Sequence, residues 1–147
     1  MEILVVGDLH GSFKKIREIP DLILLTGDLG SANLARQIAF EKIERKRKGL
    51  PEKEYSPRQE KMAFMEAYNS TIKLAKYFSR FAPVYTIYGN VESSNSETRK
   101  KSKEIGLSLP LLTDNLNRIP GVNLINNRVA SFSGLKIGGL EYFVETG

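Results

Sequence analysis

Ile3-Leu4-Val5-Val6-Gly7-Asp8-Leu9-His10 decides how this chain is read, because its plan recurs twice, as Leu22-Ile23-Leu24-Leu25-Thr26-Gly27-Asp28-Leu29 and Val84-Tyr85-Thr86-Ile87-Tyr88-Gly89-Asn90-Val91-Glu92. Each is an apolar run of buried-strand type that ends in glycine followed by an acid or an amide. Near-continuous apolar strands belong to parallel sheets, and open α/β sheets bind ligands beyond the carboxyl ends of their strands. The repeat therefore sets one oxygen-bearing side chain at the end of each of three buried strands, which is the outline of a metal site.

A length of 147 residues favours one domain over 1–147, long enough to bury about 70% of its unfolded surface in a single core. The absence of cysteine excludes disulfides and thiolate ligands, so a cation would be held by carboxylate, amide, imidazole or water, which suits Mn²⁺, Mg²⁺, Fe or Zn²⁺. The opening apolar stretch is too short and meets an acid too early for a signal peptide, and no run approaches membrane-spanning length, so a soluble, cytoplasmic protein without membrane contact is expected.

The net charge of +5 is concentrated in two places. Residues 41–61 carry eight basic groups against five glutamates, and residues 97–104 four against two, which accounts for the whole excess. Both stretches mix signs heavily and read as solvated helix faces and a loop in preference to a nucleic-acid groove, with a secondary role in attracting an anionic substrate.

Around the three repeats the chain reads as strand Ile3–Val6, a short helix Ser12–Ile19 closed by Pro20, and strand Asp21–Thr26. A helix capped by Ser31 with Leu34, Ile38 and Ile43 inward should stop at Gly49-Leu50-Pro51. From about Gln59 to Phe81, Met62, Met65, Tyr68, Ile72, Ala75 and Phe78 recur at helical spacing and mark a core stripe. Pro83 ends it, Val84–Tyr88 is the third strand, and Ser94–Ile105 an exposed helix. Beyond Pro120, the runs at 122–125, 127–132 and 135–140 are β-like, with turns at Asn126-Asn127 and Ser133-Gly134, and predict a hairpin-like sheet added after the parallel strands. The fold class is α/β with right-handed crossovers.

Asp8 and His10, two apart and just past a strand end, can turn toward one cation. Asp28 could bridge it to a second, which Asn90 would approach through its amide oxygen. Two cations about 3.5–4 Å apart clamp a phosphoryl group and activate a water for in-line attack. Gly7, Gly27 and Gly89 permit the sharp turns and close backbone approach of such a site, and Gly11-Ser12 would open a helix whose amino end favours an anion. A single Gly-Asp is ordinary turn chemistry, but three at successive strand ends, one carrying Asp-x-His, are not. A dinucleotide fold is excluded because Gly7–Gly11 lacks the spaced glycines, and no Walker lysine follows a glycine-rich turn.

Gly7-Asp8-Leu9-His10-Gly11, Gly27-Asp28-Leu29 and Gly89-Asn90-Val91-Glu92 resemble, in order, the first three motifs of the calcineurin-like metallophosphoesterases, and the apolar strands extend the resemblance across essentially the whole chain. It implies the layered sheet of that family with helices and a metal site at the strand ends. It also implies two divalent metals bound by Asp8, His10, Asp28 and Asn90, and phosphate-ester substrates, as in small prokaryotic phosphodiesterases.

Two departures stand out. Val91 occupies the third-motif position where the family commonly has a proton-donating histidine, which leaves Glu92 without the side chain it would orient and reads it as a surface carboxylate. No histidine follows His10, whereas the family supplies later ones ending in Gly-His-x-His. The second half of the family fold is thus expected to be missing, implying a fragment, a shortened protein or a product completed by another chain, with self-association through the exposed surface. Weak metal occupancy and poor hydrolysis by this chain alone are expected, and no residue is assigned as catalytic. A non-catalytic scaffold and a nucleic-acid-binding module remain the alternatives to a phosphodiesterase.

Overall fold

Four parallel strands in the order β1 (Ile3–Val6), β2 (Leu22–Leu25), β3 (Val84–Thr86), β4 (Val122–Leu124) form the central sheet of a computed structural model that describes residues 1–13 and 15–141. The register aligns Leu4, Ile23, Val84 and Val122, and two residues on Val6, Leu25, Thr86 and Leu124, on one face. That face packs against Leu74, Ala75 and Phe78 of the long helix α2 (Pro57–Ser79) and Leu112 and Leu116 of α4 (Leu112–Asn117), and this is the core. The other helices are α1 (Asn33–Arg47) and α3 (Asn95–Ile105). A separate antiparallel hairpin, β5 (Arg128–Phe132) and β6 (Leu135–Gly139), crosses the opposite face, with the Phe132 ring against Tyr85 at 6.2 Å. Its turn is Ser133-Gly134, both at positive φ (46° and 81°), the mirror-image turn that suits the strand twist.

Local sequence accounts for most boundaries. Ser56 caps α2 through a reciprocal capping box with Gln59, with Pro57 in the first turn, and Ser94 caps α3 in the same way with Glu97. Gly49, at φ 68°, follows α1 and receives its end as the Gly49-Leu50-Pro51 stop requires.

Seven expectations are corrected. The Ser12–Ile19 helix does not form among the described residues: the Phe13 ring lies tilted against Tyr77 (4.2 Å) and the Ile16 amide donates to the Tyr77 hydroxyl, so Tyr77 of α2 engages both residues. A helix this short gains too little to compete with those contacts. The anion-binding helix end at Gly11-Ser12 is lost with it, and Lys14 lies outside the described residues. Ser31 does not cap α1; its amide donates to Ser70 Oγ and that of Leu34 to Glu66 Oε1, so α2 side chains satisfy the helix start. Ile43 faces outward, 63% exposed. The segment at 122–124 is not part of an added hairpin sheet. Residues 112–117, read as no element, form α4 and carry the chain back so that β4 pairs parallel to β3. Lastly, β1 is not fully buried, since Ile3 and Val5 (43% and 60% exposed) lie on the face away from the core. Met62 of the helical stripe is likewise turned outward, and Ala63 and Leu74 take the buried positions.

No helix among the described residues is long and apolar enough to cross a membrane. The basic segments are largely solvated, with Lys48, Lys53 and Lys101 paired to Glu44, Glu41 and Glu60.

Where β3 leaves the sheet, Tyr88 is buried (4% exposed), its amide donates to Asn126 Oδ1, and its hydroxyl meets Thr113 Oγ1 at 2.7 Å. Burial pushes its pKa up from 10.0 to about 12, against the smaller lowering by Thr113. The neutral phenol therefore contributes stability that is fully present below pH 10 and is lost as pH rises toward 12. Tyr88→Phe lacks this term. Its stability deficit relative to wild type should narrow between those pH values in parallel urea titrations, and a constant gap would contradict the assignment.

Candidate metal centre

The ends of β1 and β2 run side by side past the last strand pairs. The amides of Asp8, His10 and Gly11 donate to the carbonyls of Gly27 (3.2 Å), Asp28 (3.0 Å) and Leu29 (2.6 Å), so the two Gly-Asp loops are zipped residue by residue. Within this zipper Asp8, His10 and Asp28 all adopt the left-handed conformation, at φ 52°, 48° and 52°. That region is uncommon for residues other than glycine, and holding side chains there costs of order 1–3 kcal/mol each. Strain gathered on three neighbouring polar residues singles out this corner as the candidate site.

The consequence is convergence. One ligand atom from each of Asp8, His10 and Asp28 lies within 4.8 Å of the others. A cation with bonds of roughly 2.0–2.3 Å spans donors about 3–4.5 Å apart, so small side-chain adjustments let the three meet one ion. Among the described residues neither Asp8 nor Asp28 forms an ion pair. Two neighbouring carboxylates left without a counter-charge suit a divalent cation. The oxygen and nitrogen donor set fits Mn²⁺, Fe, Zn²⁺ or Mg²⁺.

His10 is only partly buried, and its Nδ1 lies 3.3 Å from Arg36 Nη2. A guanidinium only donates, so Nδ1 is the acceptor in this contact and the imidazole's single lone pair is engaged there; ligation of a cation by His10 would replace this contact and free Arg36. Arg36 was not foreseen from the sequence, although a signal exists: it stands in the first turn of α1, a turn without an acidic residue, where the helix dipole disfavours a cation.

Asn90 follows Gly89 on the third loop. It is exposed and faces a groove between α1, α2 and α3, while its neighbour Val91 donates its amide to Asp28 Oδ1 at 3.0 Å. The third loop is thus tied to the second through Asp28, and of the histidine, aspartate and glutamate side chains among the described residues, those of Asp8, His10 and Asp28 come together. The glycines lie at close approaches of the chain. A Cβ on Gly27 would collide with the backbone of Gly89, one on Gly89 with the Asp28 carboxylate, and one on Gly7 with Thr26.

Glu92 is the principal correction. It is not a surface carboxylate but is buried, 7% exposed, and accepts four backbone amides. Oε2 takes Asp28 (3.0 Å) and Gly89 (2.8 Å), and Oε1 takes Leu29 (2.7 Å) and Gly30 (3.4 Å). It holds the second loop to the third without needing a histidine to orient. Glu92→Gln turns an NH₂ group toward two N–H donors, and because hydrogen bonds to a charged acceptor are worth about 1.5–3 kcal/mol each, a loss of ~3 kcal/mol is expected. Denaturant unfolding checks this, and a variant within ~0.5 kcal/mol of wild type would refute the role.

Comparison with known proteins agrees with this geometry. No curated protein and no solved structure matches the chain. The sequence pattern of the calcineurin-like phosphoesterases, a family that implies divalent metals and phosphate-ester substrates, matches residues 1–146. With that match over essentially its whole length, and with its Gly-Asp loops zipped around Asp8, His10 and Asp28, the chain belongs to the calcineurin-like phosphoesterase family.

Proposed function

We propose that the protein is a metal-dependent phosphodiesterase in which Asp8, His10 and Asp28 hold a divalent cation and Asn90 contributes to a second position beside it. The observation that carries the reading is the convergence of three strained ligands at the ends of adjacent parallel strands. Bound there, the cation supplies a Lewis acid for the phosphoryl oxygens and lowers the pKa of a coordinated water. The chain's own residues do the rest. Asp8 and Asp28 bring negative charge that attracts the metal, and Glu92 fixes the backbone from which Asp28 projects. Arg36, already within reach of His10, offers planar N–H donors to a phosphoryl oxygen at the mouth of the groove.

Val91 leaves no proton donor at the third-motif position, so a departing group must leave without protonation there. Three or four protein ligands across two positions also leave most of each cation's roughly six-fold shell to water, which favours slow turnover and activation only at metal concentrations well above that of the protein.

Assay of bis(4-nitrophenyl) phosphate with Mn²⁺ tests the proposal. Activity that rises with Mn²⁺ and falls at least 100-fold in Asp28→Asn, together with weakened Mn²⁺ binding, is the expected result, since a ligand is lost and second-sphere changes alone cost 10–100-fold. Turnover unaffected by chelator, or retained in Asp28→Asn, would overturn it.

A further inference from the structure

Resting on that reading, we infer that the groove leading away from the cation cluster binds an aromatic group of the phosphate ester, making the enzyme selective for aryl leaving groups. The groove has a volume of about 620 Å³, within the range of small-molecule sites. Its apolar wall is built by Ala35, Ile38 and Ala39 on α1, Ala63 and Phe64 on α2, and Val91.

Two residues join it to the chemistry. Asn90 lines the groove beside Val91, whose amide is bonded to Asp28, and Arg36 lines it while its guanidinium touches His10. A phosphoryl group at the cluster therefore sits at the mouth, and one ester substituent extends inward past Val91. Of the charged groups further in, Lys101 is paired with Glu60, and Glu97 is engaged in the α3 capping box. Lys42, also in the lining, has its ammonium 5.6 Å from the centre of the Tyr55 ring, and Ser93 and Thr98 add polar groups on the α3 side; the α1 and α2 walls nearest Val91 are apolar, and Phe64 supplies a ring for offset stacking.

The chemistry at Val91 agrees with that occupant. The water oxygen forms a new bond to phosphorus, the ester P–O bond breaks with both electrons departing on the aryl oxide, and the proton shed by the water passes to solvent. A resonance-stabilised aryl oxide departs as the anion, so an apolar side chain at Val91 suffices where an alkoxide would need a donor.

Calorimetric titration of the whole chain with phenylphosphonate and methylphosphonate in Mn²⁺ separates the outcomes. Wild type should bind phenylphosphonate at least tenfold more tightly. Ala39→Trp and Ala35→Phe, at exposed positions of α1 that line the groove, should abolish the preference while leaving methylphosphonate and Mn²⁺ binding unchanged, and should raise KM for bis(4-nitrophenyl) phosphate without lowering kcat. Equal binding of the two phosphonates by wild type, or a preference that survives in both variants, overturns the groove assignment and leaves the phosphodiesterase reading standing. Failure of both phosphonates to bind in Mn²⁺ overturns both.

Discussion

The grip of one buried carboxylate on four backbone amides is the constraint on which the rest of this site depends. Glu92 collects the N–H groups of Asp28, Leu29, Gly30 and Gly89, two to each oxygen. These groups lie where the chain has left the regular strand and has no ladder partner to offer them. Buried and unsatisfied, they would each cost of order 1–3 kcal/mol. Satisfied from one side chain, they join the second loop to the third, while the zipper between residues 8–11 and 27–29 joins the second to the first. The positions of Asp8, His10 and Asp28 are therefore fixed by the backbone, before any ligand contributes.

This arrangement also explains how the strain persists. Three left-handed residues other than glycine together cost roughly 3–9 kcal/mol, less for Asp than for bulkier side chains. Four hydrogen bonds to a carboxylate return a comparable amount. Glycine at 27 and 89 is the accompanying sterical condition, because the loops approach so closely that a methyl group on either would strike the other loop. The site is thus a balanced local structure whose ligand geometry is held by groups that never touch the ligand.

The sequence made the three strands and the polar residues at their ends legible because both signals are local: continuous apolar runs for parallel strands, and Gly-Asp for the turns. α2 was legible for the same reason, through its apolar stripe, and α3 as a polar stretch, whereas their capping boxes at Ser56 and Ser94 became visible only in the structure. What escaped was set by tertiary contact. Residues 12–19 carry a short helical pattern, but Tyr77 and Phe78 of α2 supply better partners for Phe13 and Ile16. The run at 122–124 looks like any short strand, and only α4 decides that it joins the parallel sheet. Glu92 read as a surface acid because nothing local shows that amides more than sixty positions earlier will converge on it. Only the strand register brings residues 28 and 92 together.

Val91 links the site to the groove beside it. In a family whose third motif commonly places a histidine near the leaving group, an apolar residue looks like a loss when considered alone. Here it is continuous with a wall formed by alanines of α1 and α2 and by Phe64, so on the proposed reading the residue that removes a proton donor would extend an apolar surface toward the phosphoryl group. Binding energy from a remote ring can hold the reacting group in place, and the demand on leaving-group chemistry then passes from the protein to the substrate. The pairing of Arg36 with His10 at the groove mouth fits the proposed division, in which charge would lie on the phosphoryl side and an apolar surface on the departing side.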